Sequence, residues 1–256
     1  MKLLPSLLSL IFICINANGV DPDSIPFRKP TLLEDYQIGS DTYRVILDPR
    51  HRTVLSAEVP AAVTQISKRL GDSFIKDEIL IRLDDRVFKA RQHRAKAQIK
   101  NAKASLETQQ KLYKDNIASL VELRKAEAEA ATAEAELEIT TKNLEDCTIR
   151  APYNGKIVNF SIEEHELAEI GDELVEIVDD EILIAKLLIL SKHLPKLTIG
   201  APLNIQLDDT GDLVTATITR IGAVIDPASS TIEVEADIDN RNSLLKAGMS
   251  GTAAIE

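Results

Sequence analysis

The sequence of 256 residues is poor in aromatic residues and in cysteine. It has no Trp, four Tyr and five Phe, so several thin modules with small cores fit it better than one large aromatic core. Cysteine occurs at positions 14 and 147 alone. The chain therefore contains neither a CxxC redox pair nor a cysteine-based zinc site. We expect Cys147 to be a small buried residue at a helix end rather than a reactive thiol.

Positive charge is also scarce, with 30 Lys and Arg against 41 Asp and Glu and a net charge of −11. Because affinity for phosphate comes from clustered Lys and Arg, the composition argues against nucleic-acid binding. The sequence has no GxSxG, no HExxH and no phosphate-binding loop, and no catalytic residue is predicted. His165 lies in the acidic run 163–166. Four adjacent loop residues do not converge as metal ligands do, so a solvated loop is favoured and no metal site is predicted.

The first residues have the pattern of a secretory signal peptide. Lys2 precedes an apolar run from Leu3 to Ile15, and small residues follow at 16–19. The run is too short for a membrane span of ~20 residues. A lipoprotein cut before Cys14 needs a small preceding residue, whereas Ile13 is bulky. We predict a signal peptide over 1–19, a linker over 20–42, and a mature protein outside the cytoplasm.

Neither Gly nor Pro occurs between Gly71 and Pro152, and the middle of this stretch is rich in strong helix formers. Apolar residues recur there in steps of three and four, which predicts two helices with a coiled-coil seam each. The first seam holds Phe88, Ala95, Ile99, Ala102, Leu106 and Tyr113, with Gln92 and Gln109 as polar interruptions; the second holds Leu123, Ala126, Ala130, Ala133, Leu137, Thr140, Leu144 and Cys147.

The two predicted helices are joined by a short turn over residues 115–118. Ser119 and Glu122 match a capping box at the start of the second helix. A short link makes the helices antiparallel neighbours. Residues 86–114 carry a net charge of +8 and residues 119–146 one of −5, so opposite charges favour this pairing. The sequence predicts an α-helical hairpin over 85–146.

The segments on both sides of the hairpin have the shorter periodicity of β-strands. Residues 54–84 and 147–180 form a weak internal repeat, in which Gly71-Asp72 recurs as Gly171-Asp172. We predict that they pair into one small β-domain from which the hairpin projects. The region 181–256 alternates with period two and predicts a small barrel or sandwich, to which residues 43–47 could add a strand. Its clearest strands are 203–207, 214–218 and 232–238.

These motifs resemble the periplasmic adaptor, or membrane fusion protein, family. The resemblance covers roughly residues 43–256 and is carried by Leu55–Asp84, by Ile149–Ile157 with Gly171-Asp172, and by the barrel motif from Ile221-Gly222 through Asp226-Pro227 to Met249. It implies an elongated α+β fold: a split lipoyl-like β-domain with an inserted antiparallel coiled-coil hairpin, followed by a small β-barrel. Two glycines common in the family are replaced here, by Ala62 and Asp77.

By resemblance, the protein is a non-enzymatic adaptor in the periplasm, peripheral to the inner membrane. It would form a homo-oligomeric ring and couple an inner-membrane transporter of RND or ABC type to an outer-membrane channel. The candidate partner-binding residues lie at the hairpin tip: Leu112, Asp115, Asn116, Ile117 and Ser119. Leu112 and Ser119 fit the family's tip pattern, whereas Thr108 stands at its Arg position. The helix cap explains Ser119 equally well.

Two other functions stay open on the sequence. One is a carrier-type subunit with covalent lipoate or biotin. The hairpin occupies the turn where carrier domains present their modified Lys, and no cofactor is predicted. The other is a structural coiled-coil protein of the cell envelope without a transporter partner.

Overall fold

The computed structural model describes residues 42–255. The predicted signal peptide (1–19) and residues 20–41 of the predicted linker lie outside the described residues. The elements, in chain order, are β1 (Thr42–Ser56), β2 (Ala61–Ile66), β3 (Ser73–Phe74), β4 (Ile79–Leu83), α1 (Arg86–Lys114), α2 (Leu120–Glu145), β5 (Thr148–Arg150), β6 (Gly155–Phe160), β7 (Leu167–Ala168), β8 (Glu173–Leu190), a 3₁₀ helix (Ser191–Lys196), β9 (Pro202–Leu207), β10 (Leu213–Ile221), β11 (Thr231–Asp239) and β12 (Ser250–Ala254).

The C-terminal strands close into a barrel. The strand order is β1-β12-β9-β10-β11-β8, and β8 pairs with β1 to complete the circle. Strand β11 shows why the sequence folds this way, because its Ile, Val and Ala side chains alternate with Glu and Asp and point into the core. This core includes Val45, Leu187 and Ile205, all nearly inaccessible to solvent. The small β-barrel predicted from the period-two pattern is confirmed.

Strands β1 and β8 extend beyond the barrel into a second β-body. They pair antiparallel from Val45 opposite Leu187 to Ser56 opposite Glu173. Beyond the barrel, β6 adds to β8, and β3 adds to β6. A second core, separate from that of the barrel, contains Leu80, Leu174 and Ile177 among its buried residues.

The sequence placed a boundary near residue 180, whereas the structure has one unbroken strand from 173 to 190. The acidic residues 179–181 interrupt the apolar pattern and therefore look like a break. In the structure Asp180 is buried and is paired with Lys156 Nζ at 2.6 Å, so the strand passes through. Likewise, β1 continues past Leu47, where the predicted strand ends, with a register shift between Pro49 and His51.

The internal repeat is real, but its spacing differs from the prediction. Structurally equivalent residues lie 94 positions apart, as Val63 and Ile157 do, rather than the 100 positions that separate Gly71-Asp72 from Gly171-Asp172. The two halves interlock, because a turn of each half hydrogen-bonds to a strand of the other. The backbone bonds that show this join Gly71 and Asp72 to Ile157, and His165 and Glu166 to Val63.

This alignment gives His165 a structural explanation. Gly71 and its equivalent His165 both have positive φ, at 81° and 74°. The second turn repeats the pattern, since Asp77 and its equivalent Gly171 have φ of 65° and 94°. His165 and Asp77 therefore stand at turn positions that favour glycine. The sequence match failed because each half retains glycine at a different one of the two turns.

Helices α1 and α2 are inserted between β4 and β5 and run antiparallel. Gln92 Nε2 donates to Thr141 Oγ1 at 3.1 Å near the base of the pair, and Lys103 Nζ lies 3.1 Å from Glu134 Oε1 further along. Apart from Gln92, the buried side chains of the two helices are small or apolar. The buried ones are Phe88, Gln92, Ala95 and Ile99 of α1 and Leu123, Ala126, Ala130 and Thr140 of α2.

Asn240 follows β11 and is fully buried. Its Nδ2 donates to the carbonyl oxygens of Asp180 and Leu245, at 2.9 and 3.0 Å, and its Oδ1 accepts from the backbone N–H of Leu245 at 2.9 Å. The sequence places this residue in an ordinary turn. In the structure it ties the loop before β12 to the middle of β8.

We expect Asn240→Leu to lower the free energy of unfolding by about 3 kcal/mol, because it leaves buried backbone groups without partners. The exposed Asn242 is the matched control, and Asn242→Leu should stay within about 0.5 kcal/mol of the parent protein. Urea unfolding monitored by circular dichroism measures both. Equal effects of the two substitutions would contradict the role assigned to Asn240.

Two glycines of the second β-body would be destabilised by a side chain for different reasons. One lacks space for a Cβ, and the other has space but a positive φ. A Cβ at Gly155 would lie 2.0 Å from the carbonyl oxygen of Val178, whereas a Cβ at Gly171 would meet nothing within 4 Å. Gly155→Ala should therefore destabilise by about 3 kcal/mol through overpacking. Gly171→Ala should cost about 1 kcal/mol from its positive φ alone. Urea unfolding that gives the reverse order would refute this assignment.

Candidate partner-binding site at the hairpin tip

The first helix ends in a Schellman motif. Asp115 is its C-cap, and Asn116 takes the left-handed conformation with φ of 59°. The backbone N–H of Ile117 donates to Leu112 O at 2.8 Å, and that of Asn116 donates to Tyr113 O at 3.0 Å. These bonds satisfy carbonyls that the helix end would leave unpaired. The turn is therefore fixed by the backbone, and Asn is a residue type that tolerates the left-handed conformation.

The second helix begins at the predicted capping box. Ser119 Oγ accepts from the backbone N–H of Glu122 at 3.2 Å, and Glu122 Oε2 accepts from the backbone N–H of Ser119 at 2.7 Å. The hydrogen bonds from Ser119 lower the pKa of Glu122 from its ordinary value. The carboxylate therefore strengthens the cap above its unfolded-state pKa, and this contribution is lost as the pH falls through the lowered pKa.

The structure brings the five predicted tip residues together in this one turn. Asp115, Asn116, Ile117 and Ser119 are exposed, whereas Leu112 is half-buried. The first seam was expected to end at Tyr113, yet the Tyr113 side chain is 40% exposed. Leu112 is thus the more buried of the two, and the seam shifts by one position at its last turn.

The tip presents four large apolar side chains to solvent. Ile117 is 72% exposed, Val121 76%, Leu120 51% and Tyr113 40%. Sequence reasoning identified Ile117 and missed the other three as surface residues. The signal was present for Leu120 and Val121, because both precede Leu123, where the second seam begins. A cluster of exposed apolar residues is typical of a protein-interaction site.

Thr108 stands at the family's Arg position, one helical turn before Leu112. Its Oγ1 donates to the carbonyl oxygen of Ala104 at 2.9 Å, within its own helix. The hydroxyl is thus engaged by the backbone, and this position offers no cation to a partner.

Other chemistry is sparse among the described residues. Within 42–255, no group of three or more His, Cys, Asp or Glu side chains is placed to hold a metal ion. Cys147 is buried, as predicted, and its Sγ lies 3.4 Å from the carbonyl oxygen of Asn143. Burial is the main cause that raises the pKa of its thiol to about 11, which leaves little reactive thiolate at neutral pH. None of the described helices is long and apolar enough to cross a membrane.

Comparison with known proteins gives one curated sequence relative and several solved structures. No protein-family model matches the chain. The nodulation protein NolF of Rhizobium meliloti (strain 1021) is 22% identical over 218 residues, which cover 79% of this chain and 59% of NolF. The chain thus spans less than two thirds of the curated relative it matches.

Three solved structures superpose on most of this chain. A Bacteroides eggerthii protein described as an efflux transporter has a TM-score of 0.72 at 20% identity and covers 83% of this chain and 67% of its own. A MacA–MexA chimera carrying the α-hairpin domain of Pseudomonas aeruginosa MexA has a TM-score of 0.72 at 17% identity, with coverage of 84% and 79%. The membrane fusion protein Spr0693 of Streptococcus pneumoniae R6 has a TM-score of 0.65 at 16% identity, with coverage of 84% and 98%.

The resemblance that the sequence motifs carry is thereby confirmed, and the chain has the fold of the periplasmic adaptor, or membrane fusion protein, family.

Proposed function

We propose that the protein is a non-enzymatic periplasmic adaptor of a tripartite efflux or secretion system. In this proposal it associates peripherally with the inner membrane and couples an inner-membrane transporter to an outer-membrane channel. The observation that carries the proposal is the apolar tip formed by Tyr113, Ile117, Leu120 and Val121. It stands at the end of two helices, of which α1 alone, with 29 residues, is about 43 Å long.

The tip suits a contact with an outer-membrane channel because its conformation is fixed before any partner arrives. The Schellman motif and the capping box hold the turn from both sides. A partner that binds it has little backbone entropy to remove, which favours affinity. The proposed contact surface combines the predicted Leu112, Asp115, Asn116 and Ile117 with the exposed Tyr113, Leu120 and Val121, and Ser119 positions it through the cap. The helices below the tip pack as a coiled coil, in which the small Ala95, Ala126 and Ala130 allow close approach.

The remaining parts would seat on the transporter and form the ring. We assign the first core, with β9 to β12, to the barrel and the second core, with β2 to β7, to the lipoyl-like domain. Strands β1 and β8 belong to both. A force applied at the barrel would thus reach the second β-body, from which the hairpin projects, along continuous strands. Ring formation follows if head-to-tail contacts between copies close by rotation.

Photocrosslinking in intact cells of the source organism tests the tip assignment. A photoreactive residue in place of Ile117 should capture an outer-membrane channel protein. The same residue in place of Ile139, which is 56% exposed on α2 away from the tip, is the matched control and should not capture it. Recovery of no outer-membrane protein from position 117, or equal recovery from both positions, would count against the proposal.

Substitutions of Ser119 separate its cap from a direct contact. Ser119→Ala should lower the stability of α2 by about 1 kcal/mol, because it removes the N-cap acceptor. Ser119→Asp retains an acceptor and should keep both the parent stability and the crosslink yield at Ile117. Thermal unfolding and crosslinking provide the two measurements. A folded Ser119→Asp protein that no longer crosslinks would show that the hydroxyl itself binds the partner.

A further inference from the structure

A cavity of about 460 Å³ lies where the barrel meets the second β-body. Its walls come from β1, β6 and β8 and from the loop before β12. The volume is within the range of small-molecule sites, which occur preferentially where two bodies meet. The hairpin is not part of it, and the function proposed for the tip does not use it.

The loop wall of the cavity, residues 246–248, is held at both ends. On one side, the buried Asn240 exchanges hydrogen bonds with Leu245. On the other side, the backbone N–H of Gly248 donates to Leu47 O at 2.7 Å, and that of Leu47 donates to Met249 O at 2.9 Å. The position of this wall is therefore set by the fold rather than by a ligand, which lowers the entropy cost of binding.

The carboxylates that line the cavity are already neutralised. Asp180 is buried and is paired with Lys156 Nζ at 2.6 Å. Asp48 is paired with Lys186 Nζ at 3.0 Å. Both acids therefore have a cation beside them before any ligand binds.

Of the lining cations, Lys156 and Arg52 are each paired with a carboxylate, whereas within residues 42–255 Lys246 is not. Lys246 has no carboxylate partner among the described residues, and its Nζ lies 3.5 Å from the carbonyl oxygen of Ser243. Arg52 forms an ion pair through Nε with Glu176 Oε1, and only its two terminal amino groups have no partner in the part of the chain that the structure describes. The cavity thus offers uncommitted N–H donors and no uncommitted carboxylate.

The rest of the lining is apolar. Pro49, Ile157, Val158, Val178 and Ala247 contribute to it, and Ile157 is buried. Such a surface gains free energy by covering hydrocarbon, at roughly 25 cal/mol per Å² removed from water. A ligand that fits must therefore combine an anionic group with an apolar body.

We propose that this cavity is a binding site for a small anionic amphiphile, a carboxylate on a hydrocarbon chain of medium length. The carboxylate binds the ammonium group of Lys246 and the free guanidinium amino groups of Arg52. The hydrocarbon chain lies against Val158, Val178 and Ala247. The ligand bridges both β-bodies, because these groups come from the long strands and from the barrel loop.

Isothermal titration of the purified mature chain with sodium decanoate, kept below its micelle concentration, tests the site. Decanoate should bind, whereas decyltrimethylammonium, with the same chain length and the opposite charge, should bind at least tenfold more weakly. Lys246→Gln should weaken decanoate binding about tenfold or more, the loss expected for one hydrogen bond to a charged group. Ala247→Trp, which fills the cavity without changing charge, should abolish it.

The control is Lys100→Gln, which removes an exposed cation of the hairpin and should leave decanoate binding unchanged. Circular dichroism confirms that each variant is folded. Absence of decanoate binding, equal binding of the cationic amphiphile, or unchanged binding by folded Lys246→Gln and Ala247→Trp would each overturn the proposal. Each of these results is independent of crosslinking at Ile117 and would leave the proposed adaptor function standing.

Discussion

The antiparallel pairing of β1 with β8 is the interaction on which the rest of the structure depends. It closes the barrel at one end and forms part of the second β-body at the other. Each body buries only a modest core of aliphatic side chains, and neither contains a Trp. Because apolar burial is the main favourable term in folding, cores this small hold the two bodies in place only weakly. The continuous backbone hydrogen bonds between β1 and β8 therefore help to fix the arrangement of the two bodies.

This pairing also explains how charged residues can lie at the middle of the strands. Acidic residues at 179–181 would end a strand that depended on apolar burial alone. Here Asp180 is compensated by Lys156, and the backbone around it is bonded to Asn240. A paired buried charge contributes little net stability compared with an apolar pair. Its value here is that a hydrophilic junction can lie between two apolar cores without breaking the strand.

Much of this fold could be predicted from the sequence because its patterns are local. The three-and-four spacing located both helices, the Ser119–Glu122 box located the start of the second, and period-two alternation located the barrel strands. The predicted domain boundary near residue 180 falls inside the single strand β8, because long-range strand pairing overrides a local charged run. The repeat was misaligned because each turn needs a residue with positive φ, which does not have to be glycine. His165 and Asp77 adopt this conformation. At the tip, the sequence identified the turn, whereas the exposure of Tyr113 depends on how the last helical turn packs.

The interlocked repeat has a consequence for how the chain is made. The strand around Val63 takes its turn partner from residues 165–166, and the turn at Gly71 takes its strand from residue 157. The N-terminal half therefore lacks these hydrogen-bond partners until more than eighty later residues are available, although β2 can already pair with β4. The helical hairpin, whose helix–helix contacts lie within residues 86–145, can form before that. The chain order thus allows the projecting helices to form first and the β-body to close around their base afterwards.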